Sequence, residues 1–322
     1  KLEEGATLGV HRVEIVHPFE SFQQQGTFRV EEYKKPEFEV KVDAPVDPVM
    51  LGEKVTAKLT ATYYFGAPVT NAKVKYKVQR SAHTARWYPY RVWDWFYGPG
   101  YWWFGYDYDW YPGFRVWGCK APVWWWWPAQ SDPPEVVLES EGAIGPDGSL
   151  EIAIDTALAK ELHGDEDHRY EISVEVTDES RRTILGSGQV LVARRPFSVT
   201  TWADRGHYEV GNPIEIGVRA MTLDQKGVKG TGRASLLKLS YNEKGEPQEK
   251  EVVGQDITTD DDGMAKVKLS ATEAGQYRLS AKVKDAKGRE QEGGVFFVIR
   301  GGANDGRDYR FAQIELVPEK AE

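Results

Sequence analysis

Short runs in which apolar and polar residues alternate recur along most of the chain, and this feature constrains the fold most strongly. The clearest runs are Phe38-Val40-Val42, Val55-Ala57-Leu59-Ala61, Val74-Tyr76-Val78, Ile172-Val174-Val176, Ile214-Ile216-Val218 and Val267-Leu269. A period of two is typical of β-strands with one buried face, and Gly, Asp and Pro separate the runs. The sequence therefore predicts an all-β protein of tandem immunoglobulin-like β-sandwiches. Residues 156–162 are predicted to form a short connecting helix.

An internal repeat divides the chain into modules. Two basic residues precede a proline at Lys34-Lys35-Pro36 and again at Arg194-Arg195-Pro196. In each copy a Phe follows closely, and a Gly stands 14 positions after that Phe. These pairs are Phe38 with Gly52, and Phe197 with Gly211. The equal spacing indicates two copies of one structural unit.

Each copy also contains an Asp-Gly pair that is followed by alternating apolar residues. The pairs are Asp147-Gly148 and Asp262-Gly263. Asp-Gly between alternating runs is a strong hairpin signal, so both pairs are predicted to be hairpin turns. The spacing from each pair to the next module again agrees, to within one residue.

The copies differ in the middle, where the first is longer by 44 residues. The extra length lies at about residues 81–134, a stretch without strand alternation that holds 11 of the 12 tryptophans. We call this stretch the aromatic insertion. Without it each module has about 110 residues, the size of an immunoglobulin-like sandwich.

Composition excludes several functions. The 41 basic and 50 acidic residues give a net charge of −9, and the basic residues are scattered, which argues against nucleic acid as a partner. No apolar run approaches the roughly 18 residues that span a bilayer, so no transmembrane segment is predicted. Cys119 is the single cysteine and cannot form an internal disulfide.

The two ends carry further strand patterns, at residues 8–16 and 311–317. No secretory leader is recognisable at the start, which fits either a cytosolic protein or an internal fragment. The strand patterns favour the second interpretation, in which both ends cut through neighbouring modules.

Two stretches go beyond generic sandwich sequences. They are Gly26-Thr27-Phe28-Arg29-Val30-Glu31-Glu32-Tyr33-Lys34-Lys35-Pro36-Glu37-Phe38-Glu39-Val40 and Tyr63-Tyr64-Phe65-Gly66-Ala67-Pro68-Val69-Thr70-Asn71-Ala72-Lys73-Val74. The first resembles the boundary between consecutive macroglobulin domains of bacterial alpha-2-macroglobulins, and the second resembles the strands after that boundary. The resemblance implies the end of one macroglobulin domain at residues 1–31, full domains at 32–196 and 197–301, and the start of another at 302–322.

The same resemblance implies an exported periplasmic or cell-envelope protein that inhibits endopeptidases by entrapment. Its partners would be proteases, bound through the full-length parent, and neighbouring macroglobulin domains. The family's internal thioester requires a Cys followed, after one residue, by Glu-Gln, whereas Cys119 is followed by Lys120-Ala121-Pro122-Val123. No bait region can be assigned either, so these modules are expected to form part of the structural framework of the parent. The fragment alone is not expected to inhibit proteases.

No catalytic, cofactor or metal site is predicted, and the chain is not expected to be an enzyme. His163 and His168 lie in a polar stretch that lacks zinc-ligand spacing and is interpreted as a solvated loop. The run from Asp260 to Gly263 lacks the downstream Glu of a calcium loop and is interpreted as a turn. Gly98-Pro99-Gly100 and Gly301-Gly302 do not stand between a strand and a helix, as a phosphate loop would.

The aromatic insertion has two interpretations. Its rings either fold back over a sheet or onto the neighbouring module, or they form an exposed platform for a partner protein or glycan. The candidate partner-contact aromatics are Trp87, Trp93, Trp95, Trp102, Trp103, Trp124, Trp125, Trp126 and Trp127. The alternative function is a carbohydrate-binding or adhesion module of a surface protein, with the first five of these rings stacking on sugars. In either case the insertion is expected to be folded and dispensable for the core of its sandwich.

Overall fold

The computed structural model describes residues 7, 9–16, 23–30, 37–85, 87–100, 110–114, 117, 133–301 and 309. Of these residues 60% lie in strands and 4% in helices, which confirms the all-β prediction. The described strands form one separate hairpin and two sandwiches.

The N-terminal hairpin consists of β1 (Gly9–Val16) and β2 (Gln23–Val30), which pair antiparallel with Gly9 opposite Val30. β1 matches the strand predicted at residues 8–16. The strand predicted at residues 311–317 and the mark Lys34-Lys35-Pro36 lie outside the described residues.

The first sandwich packs a five-stranded sheet on a three-stranded sheet. Its strands are β3 (Phe38–Asp43), β4 (Val49–Met50), β5 (Lys54–Tyr63), β6 (Ala72–His83), β7 (Glu135–Ala143), β8 (Ser149–Asp155), β9 (Asp167–Asp178) and β10 (Thr183–Ala193). The sheet orders are β4-β10-β9-β6-β7 and β3-β5-β8. In β5 the alternating apolar residues from Val55 to Ala61 are at most 1% exposed, while Thr56 and Lys58 between them face solvent. The period-two pattern thus produces the buried face of the sheet.

The second sandwich repeats this arrangement. Its strands are β11 (Ser198–Ala203), β12 (His207–Glu209), β13 (Ile214–Met221), β14 (Gly230–Tyr241), β15 (Pro247–Thr259), β16 (Met264–Leu269), β17 (Gly275–Asp285) and β18 (Glu290–Arg300). The sheet orders are β12-β18-β17-β14-β15 and β11-β13-β16. In both sandwiches the short second strand pairs parallel with the last, as β4 does with β10 and β12 with β18. Each sandwich encloses its own core, around Phe38 and Ile172 in the first and around Phe197 and Leu279 in the second.

The two Asp-Gly turns are equivalent, but they are not hairpins. Gly148 and Gly263 both have φ +74°, and their carbonyl oxygens accept hydrogen bonds from Ala61 N and Ala220 N at 2.9 and 2.8 Å. β7 pairs with β6 and β8 with β5, so the first turn carries the chain from one sheet to the other. The second turn does the same between β15 and β16. The hairpin prediction is therefore wrong, because the alternation after Asp-Gly announces a strand without specifying its sheet.

The aromatic insertion connects two adjacent antiparallel strands, β6 and β7. The equivalent strands β14 and β15 are joined by residues 242–246 alone. Ser81 to His83 still pair with β9, so the departure from the sandwich begins at residue 84, three residues later than predicted. The insertion therefore occupies the position of a tight turn.

Two short helices occur in the described ranges, α1 (Asp94–Tyr97) in the aromatic insertion and α2 (Ala157–His163) after β8. α2 confirms the predicted connector. Thr156 precedes it, and its Oγ1 accepts a hydrogen bond from Gly52 N at 2.8 Å and donates one to Glu53 O at 2.7 Å. This buried hydroxyl ties the helix to the turn between β4 and β5.

Candidate contact site in the aromatic insertion

Two described parts of the aromatic insertion, around Trp87 and from Tyr111 to Trp117, contact the outer faces of the two sheets of the second sandwich. On these faces the outward residues alternate with the core residues of β11, β13, β17 and β18. We describe first the contact on the three-stranded sheet, then the contact on the five-stranded sheet.

Trp87 makes the contact with the three-stranded sheet. Its ring lies 5.5 Å from the ring of Trp202 in an edge-to-face arrangement, and the Arg219 guanidinium lies 4.3 Å from its centroid. Trp202 in turn covers Gly217, where an added Cβ would lie 2.1 Å from the indole. A glycine is therefore required on β13 for the rings to reach the sheet. Edge-to-face and cation–π geometry both stabilise this contact.

Tyr111, Phe114 and Trp117 make the contact with the five-stranded sheet. They surround Phe296 of β18 with ring centroids 4.9, 6.4 and 6.1 Å away, and Leu239 of β14 completes the group. All five side chains are at most 9% exposed. We call this group the aromatic anchor, and it is separate from the core clusters of both sandwiches.

A buried ion cluster lies beneath the aromatic anchor. Arg278 of β17 donates hydrogen bonds to both carboxylate oxygens of Glu249 at 2.6 and 2.7 Å, and to Glu292 Oε1 at 2.7 Å. Trp117 covers the guanidinium, whose Cζ is 4.0 Å from the ring centroid. Tyr111 donates its hydroxyl proton to Glu249 Oε1 at 2.8 Å. The insertion thus contacts charged groups of the second sandwich as well as its apolar surface.

The ion cluster perturbs the ionisation of its members. Burial by itself would raise the pKa of Glu249, but hydrogen bonds from Arg278 and Tyr111 outweigh it and hold this pKa below its ordinary value. Burial lowers and the two carboxylates raise the pKa of Arg278, with a net increase. Burial and the bond to Glu249 both raise the pKa of Tyr111. Glu249 and Arg278 are therefore ionised at neutral pH, with Tyr111 as a neutral donor.

Within residues 87–100, a fully described stretch, the chain exposes six large apolar side chains. They are Tyr90, Val92, Trp93, Trp95, Phe96 and Tyr97, and each is at least 49% exposed. We call them the exposed ridge. The rings touch one another in sequence, with Trp95 5.5 Å from Phe96 and Phe96 4.8 Å from Tyr97. Exposed apolar groups of this density mark contact surfaces.

A cleft of about 530 Å³ separates the start of the exposed ridge from the three-stranded sheet. Tyr90 and Arg91 form one wall, and Trp202, Glu215 and Lys268 lie on the other side. Arg91 Nη2 reaches across it to the backbone oxygens of Ala203 and Asp204 at 3.5 and 3.4 Å. Carboxylates and ammonium groups are mixed in its lining, so the cleft does not select a ligand charge.

The predicted contact aromatics separate into three groups. Trp87 lies in the contact between the sandwiches, with Arg219 over one face of its ring, whereas Trp93 and Trp95 are exposed. The other six, Trp102, Trp103, Trp124, Trp125, Trp126 and Trp127, lie outside the described residues.

Sequence reasoning missed the aromatic anchor and Arg278. One signal was available in Phe296-Phe297, because consecutive residues of a strand point to opposite faces. Phe297 belongs to the core of the second sandwich, so Phe296 must face outward and needs a cover.

Within the residues that the structure describes, no three His, Cys, Asp or Glu side chains form a metal-ligand group. Asp260 Oδ1 accepts hydrogen bonds from Asp262 N and Met264 N, as expected of a turn. The solvated-loop interpretation of residues 163–168 is wrong at both ends, since His163 ends α2 and His168 lies in β9 with 0% exposure. Burial lowers the pKa of His168, because strand alternation places this side chain inward. Neither helix of the described ranges is long and apolar enough to cross a membrane.

Fold and site together define a class: tandem antiparallel β-sandwiches joined by an aromatic cross-module contact. Comparison with known proteins adds two relatives with detectable sequence similarity, although no protein-family model matches the chain. An alpha-2-macroglobulin homolog of Nostoc sp. is 26% identical over 278 residues, or 81% of this chain and 13% of the relative. An alpha-2-macroglobulin of Thermotoga maritima is 34% identical over 79 residues, or 24% of this chain and 5% of the relative. The chain is thus similar in sequence to two bacterial alpha-2-macroglobulins, and its matches span no more than 13% of their length.

Solved structures of the same name are more distant. The native conformation of Escherichia coli alpha-2-macroglobulin matches with a TM-score of 0.45 and 14% identity, over 95% of this chain and 19% of that one. Salmonella alpha-2-macroglobulin reacted with methylamine matches with a TM-score of 0.45 and 12% identity, over 92% and 18%.

Proposed function

We propose that this chain is a structural and interaction segment of an alpha-2-macroglobulin-like protein that inhibits endopeptidases by entrapment in the periplasm or cell envelope. The relatives named alpha-2-macroglobulin support the family context. The single observation that carries the structural role is the aromatic anchor, which joins one sandwich to the next through five buried side chains. A structural segment of a multidomain protein requires such defined contacts between consecutive domains.

In this proposal residues 32–196 and 197–301 are consecutive macroglobulin domains. Residues 1–31 end a preceding domain, and residues 302–322 begin a following one. The chain performs no catalysis. Proteases are partners of the full-length parent, and neighbouring macroglobulin domains are partners of this segment.

The exposed ridge supplies the interaction role. Trp and Tyr dominate the energetics of protein contacts, and Trp93 and Trp95 present most of their surface to solvent. We propose that these rings contact a protein partner, either another domain of the parent or the captured protease.

The test is inhibition of an endopeptidase with a large substrate, compared between the full-length parent and this fragment. We expect the parent to protect the large substrate and the fragment to have no effect at equal concentration. A parent with the ridge variant Trp93→Ser/Trp95→Ser should trap less protease than one carrying Lys58→Ser, a matched change at an exposed strand position. Inhibition by the fragment, or a parent that never inhibits, would overturn the proposal.

A further inference from the structure

We propose that residues 63–68, the turn between β5 and β6, form a docking surface for the domain that precedes the first sandwich in the parent and ends in the hairpin β1–β2. We call residues 63–68 the entry turn. Tyr64 and Phe65 at its tip are 57% and 80% exposed. The inference rests on the part of the proposed function that assigns residues 1–31 to a preceding domain, and it names the side chains that contact this domain.

The entry turn lies where the chain enters the first sandwich. Tyr64 N donates a hydrogen bond at 3.0 Å to the carbonyl oxygen of Glu37, the residue directly before β3. The Glu37 side chain pairs with Arg182, the residue directly before β10. A domain that is joined to the chain just before Glu37 is therefore held close to the entry turn, at a high effective concentration.

The second sandwich contains the equivalent turn at residues 222–227. In each turn the N–H of the first residue donates a hydrogen bond to the carbonyl of the fifth, at 2.8 Å in the entry turn and 3.0 Å in its equivalent. The fourth residues, Gly66 and Gln225, both have positive φ, +93° and +67°. The two turns therefore have the same backbone form at the same place in the fold.

The equivalent turn contacts the sandwich that precedes it. Lys226 Nζ forms an ion pair at 2.7 Å with Asp47 of the first sandwich. Thr222 and Leu223 line a cavity of about 110 Å³, and Arg194, directly after β10, lines the same cavity. Because the repeat relates the two sandwiches, the corresponding contact of the entry turn is with the domain that precedes β3.

The entry turn differs from its equivalent in being apolar. Phe65 stacks on Tyr63 with centroids 5.2 Å apart, and Tyr63 lies edge-to-face with the buried Phe38 at 5.9 Å. The rings thus form a continuous series from the core to the surface. At the corresponding positions of the second turn, Thr222 donates its hydroxyl proton to Asp224. Exposed rings gain free energy when another apolar surface covers them, so the partner of the entry turn is apolar where the two meet.

The hairpin β1–β2 shows that the preceding domain has apolar side chains to offer. Val10, Val13 and Phe28 of this hairpin are all exposed. A two-stranded hairpin is at best marginally stable in water, so it requires the rest of its domain. The complete domain is therefore the partner that we assign to the entry turn.

The experiment is hydroxyl-radical footprinting of the full-length parent without protease, compared with this fragment. We expect Tyr64 and Phe65 to be oxidised several-fold more slowly in the parent, because the complete preceding domain covers them. Leu158 in α2 is 64% exposed at the other end of β5, and it should be oxidised at the same rate in both proteins. Equal rates for the two rings, or an equally large fall at Leu158, would overturn the inference.

Thermal unfolding provides the second measurement. Tyr64→Ser/Phe65→Ser should lower the unfolding midpoint more in the parent than in the fragment, since only the parent loses a contact between domains. The control Leu158→Ser should have the same small effect in both. Protection of the rings that requires captured protease, or that rises with fragment concentration, would assign the turn to the protease or to a second copy and overturn the inference. Neither measurement involves inhibition, so a parent that never inhibits contradicts entrapment alone.

Discussion

Arg278 is a single residue on a strand of the second sandwich that binds the aromatic insertion of the first. It stands between the core residues Tyr277 and Leu279 and points away from them, toward Glu249, Glu292 and the indole above. An arginine presents a planar fork of donors that suits a carboxylate on one edge and an aromatic ring on its face. A lysine would provide neither arrangement.

Removing this guanidinium should be costly. We expect Arg278→Met to lower the free energy of unfolding by about 3 kcal/mol, because two partly buried carboxylates lose their counter-charge. Urea unfolding of the whole chain measures this. Arg233→Met is the matched control: Arg233 also binds two carboxylates, but its side chain is 48% exposed, so we expect a loss below about 1 kcal/mol. Equal losses would show that the buried cluster adds nothing beyond a surface pair.

The lowered pKa of Glu249 predicts a pH dependence. Hydrogen bonds from Arg278 and Tyr111 hold the pKa of the folded state below the ordinary 4.5. The stability contributed by this carboxylate is therefore complete above pH 4.5, and it is lost as pH falls through the lower folded pKa. Unfolding curves between neutral pH and pH 3 should fall more steeply for the wild type than for Glu249→Gln. Parallel curves for the two proteins would contradict the assignment.

Alanine substitutions at two turn glycines should lower the stability of the protein to different extents. Gly263 and Gly288 both have positive φ, +74° and +79°. Around Gly288 nothing lies within 4 Å of an added Cβ, so Gly288→Ala should cost about 1 kcal/mol, the strain of the left-handed conformation alone. At Gly263 the added Cβ would lie 2.0 Å from Ala220 O, and Gly263→Ala should cost about 3 kcal/mol once overpacking is included. Thermal unfolding of both variants is the measurement, and equal losses of stability would contradict the close approach of the Gly263 position to Ala220 O.

At the scale of elements, the β6–β7 connection is the point where the two copies diverge. Residues 242–246 suffice between β14 and β15, whereas the first copy places residues 84–134 there. Because paired strands need only a tight turn, everything else in the aromatic insertion is available for contacts outside its own sandwich.

Replacing residues 84–134 with a short Gly-Ser linker should lower the stability of the second sandwich and leave that of the first unchanged. The first should keep its unfolding midpoint, because its core cluster contains no residue of the insertion. The second should lose about 2 kcal/mol, because Phe296 and Leu239 become exposed. Calorimetry with far-UV circular dichroism provides the measurement. Failure of the first sandwich to fold would mean that the insertion belongs to its core.

Strands were predictable from the sequence and their sheets were not. The period-two pattern located β3, β5, β6, β9, β13 and β16, since alternation is a local property. The hairpin prediction for the Asp-Gly turns fails because the pairing of β8 with β5 depends on contacts distant in sequence. The same limit hid the aromatic anchor: Tyr111 and Glu249 meet only after both sandwiches have formed.

At the scale of the whole molecule, the repeat was the most informative feature of the sequence. Equal spacing of Phe38 to Gly52 and of Phe197 to Gly211 predicted two copies, and the eight strands of one sandwich match the eight of the other in order. The contact between the two sandwiches could not be predicted from the sequence, because the composition of the aromatic insertion does not indicate which of its rings are buried.

The exposed ridge yields a prediction for the molecule as a whole. Trp93 and Trp95 are 54% and 73% exposed, so Trp93→Ser/Trp95→Ser should change the free energy of unfolding by less than about 0.5 kcal/mol. The same variant should elute earlier from a hydrophobic-interaction column, because the chain loses two exposed indoles. A marked fall in stability would place these rings inside a contact of this chain.

The glycines under the tryptophans also determine which sandwich receives the aromatic insertion. Gly294 lies beneath Trp117, and Gly217 lies beneath Trp202, the ring that Trp87 contacts. The two sandwiches share a strand order, but the surfaces that receive the rings of the insertion lie on the second. The two sandwiches are therefore complementary and not interchangeable: a first sandwich without a second beside it would leave the rings of Trp87 and Trp117 exposed to solvent.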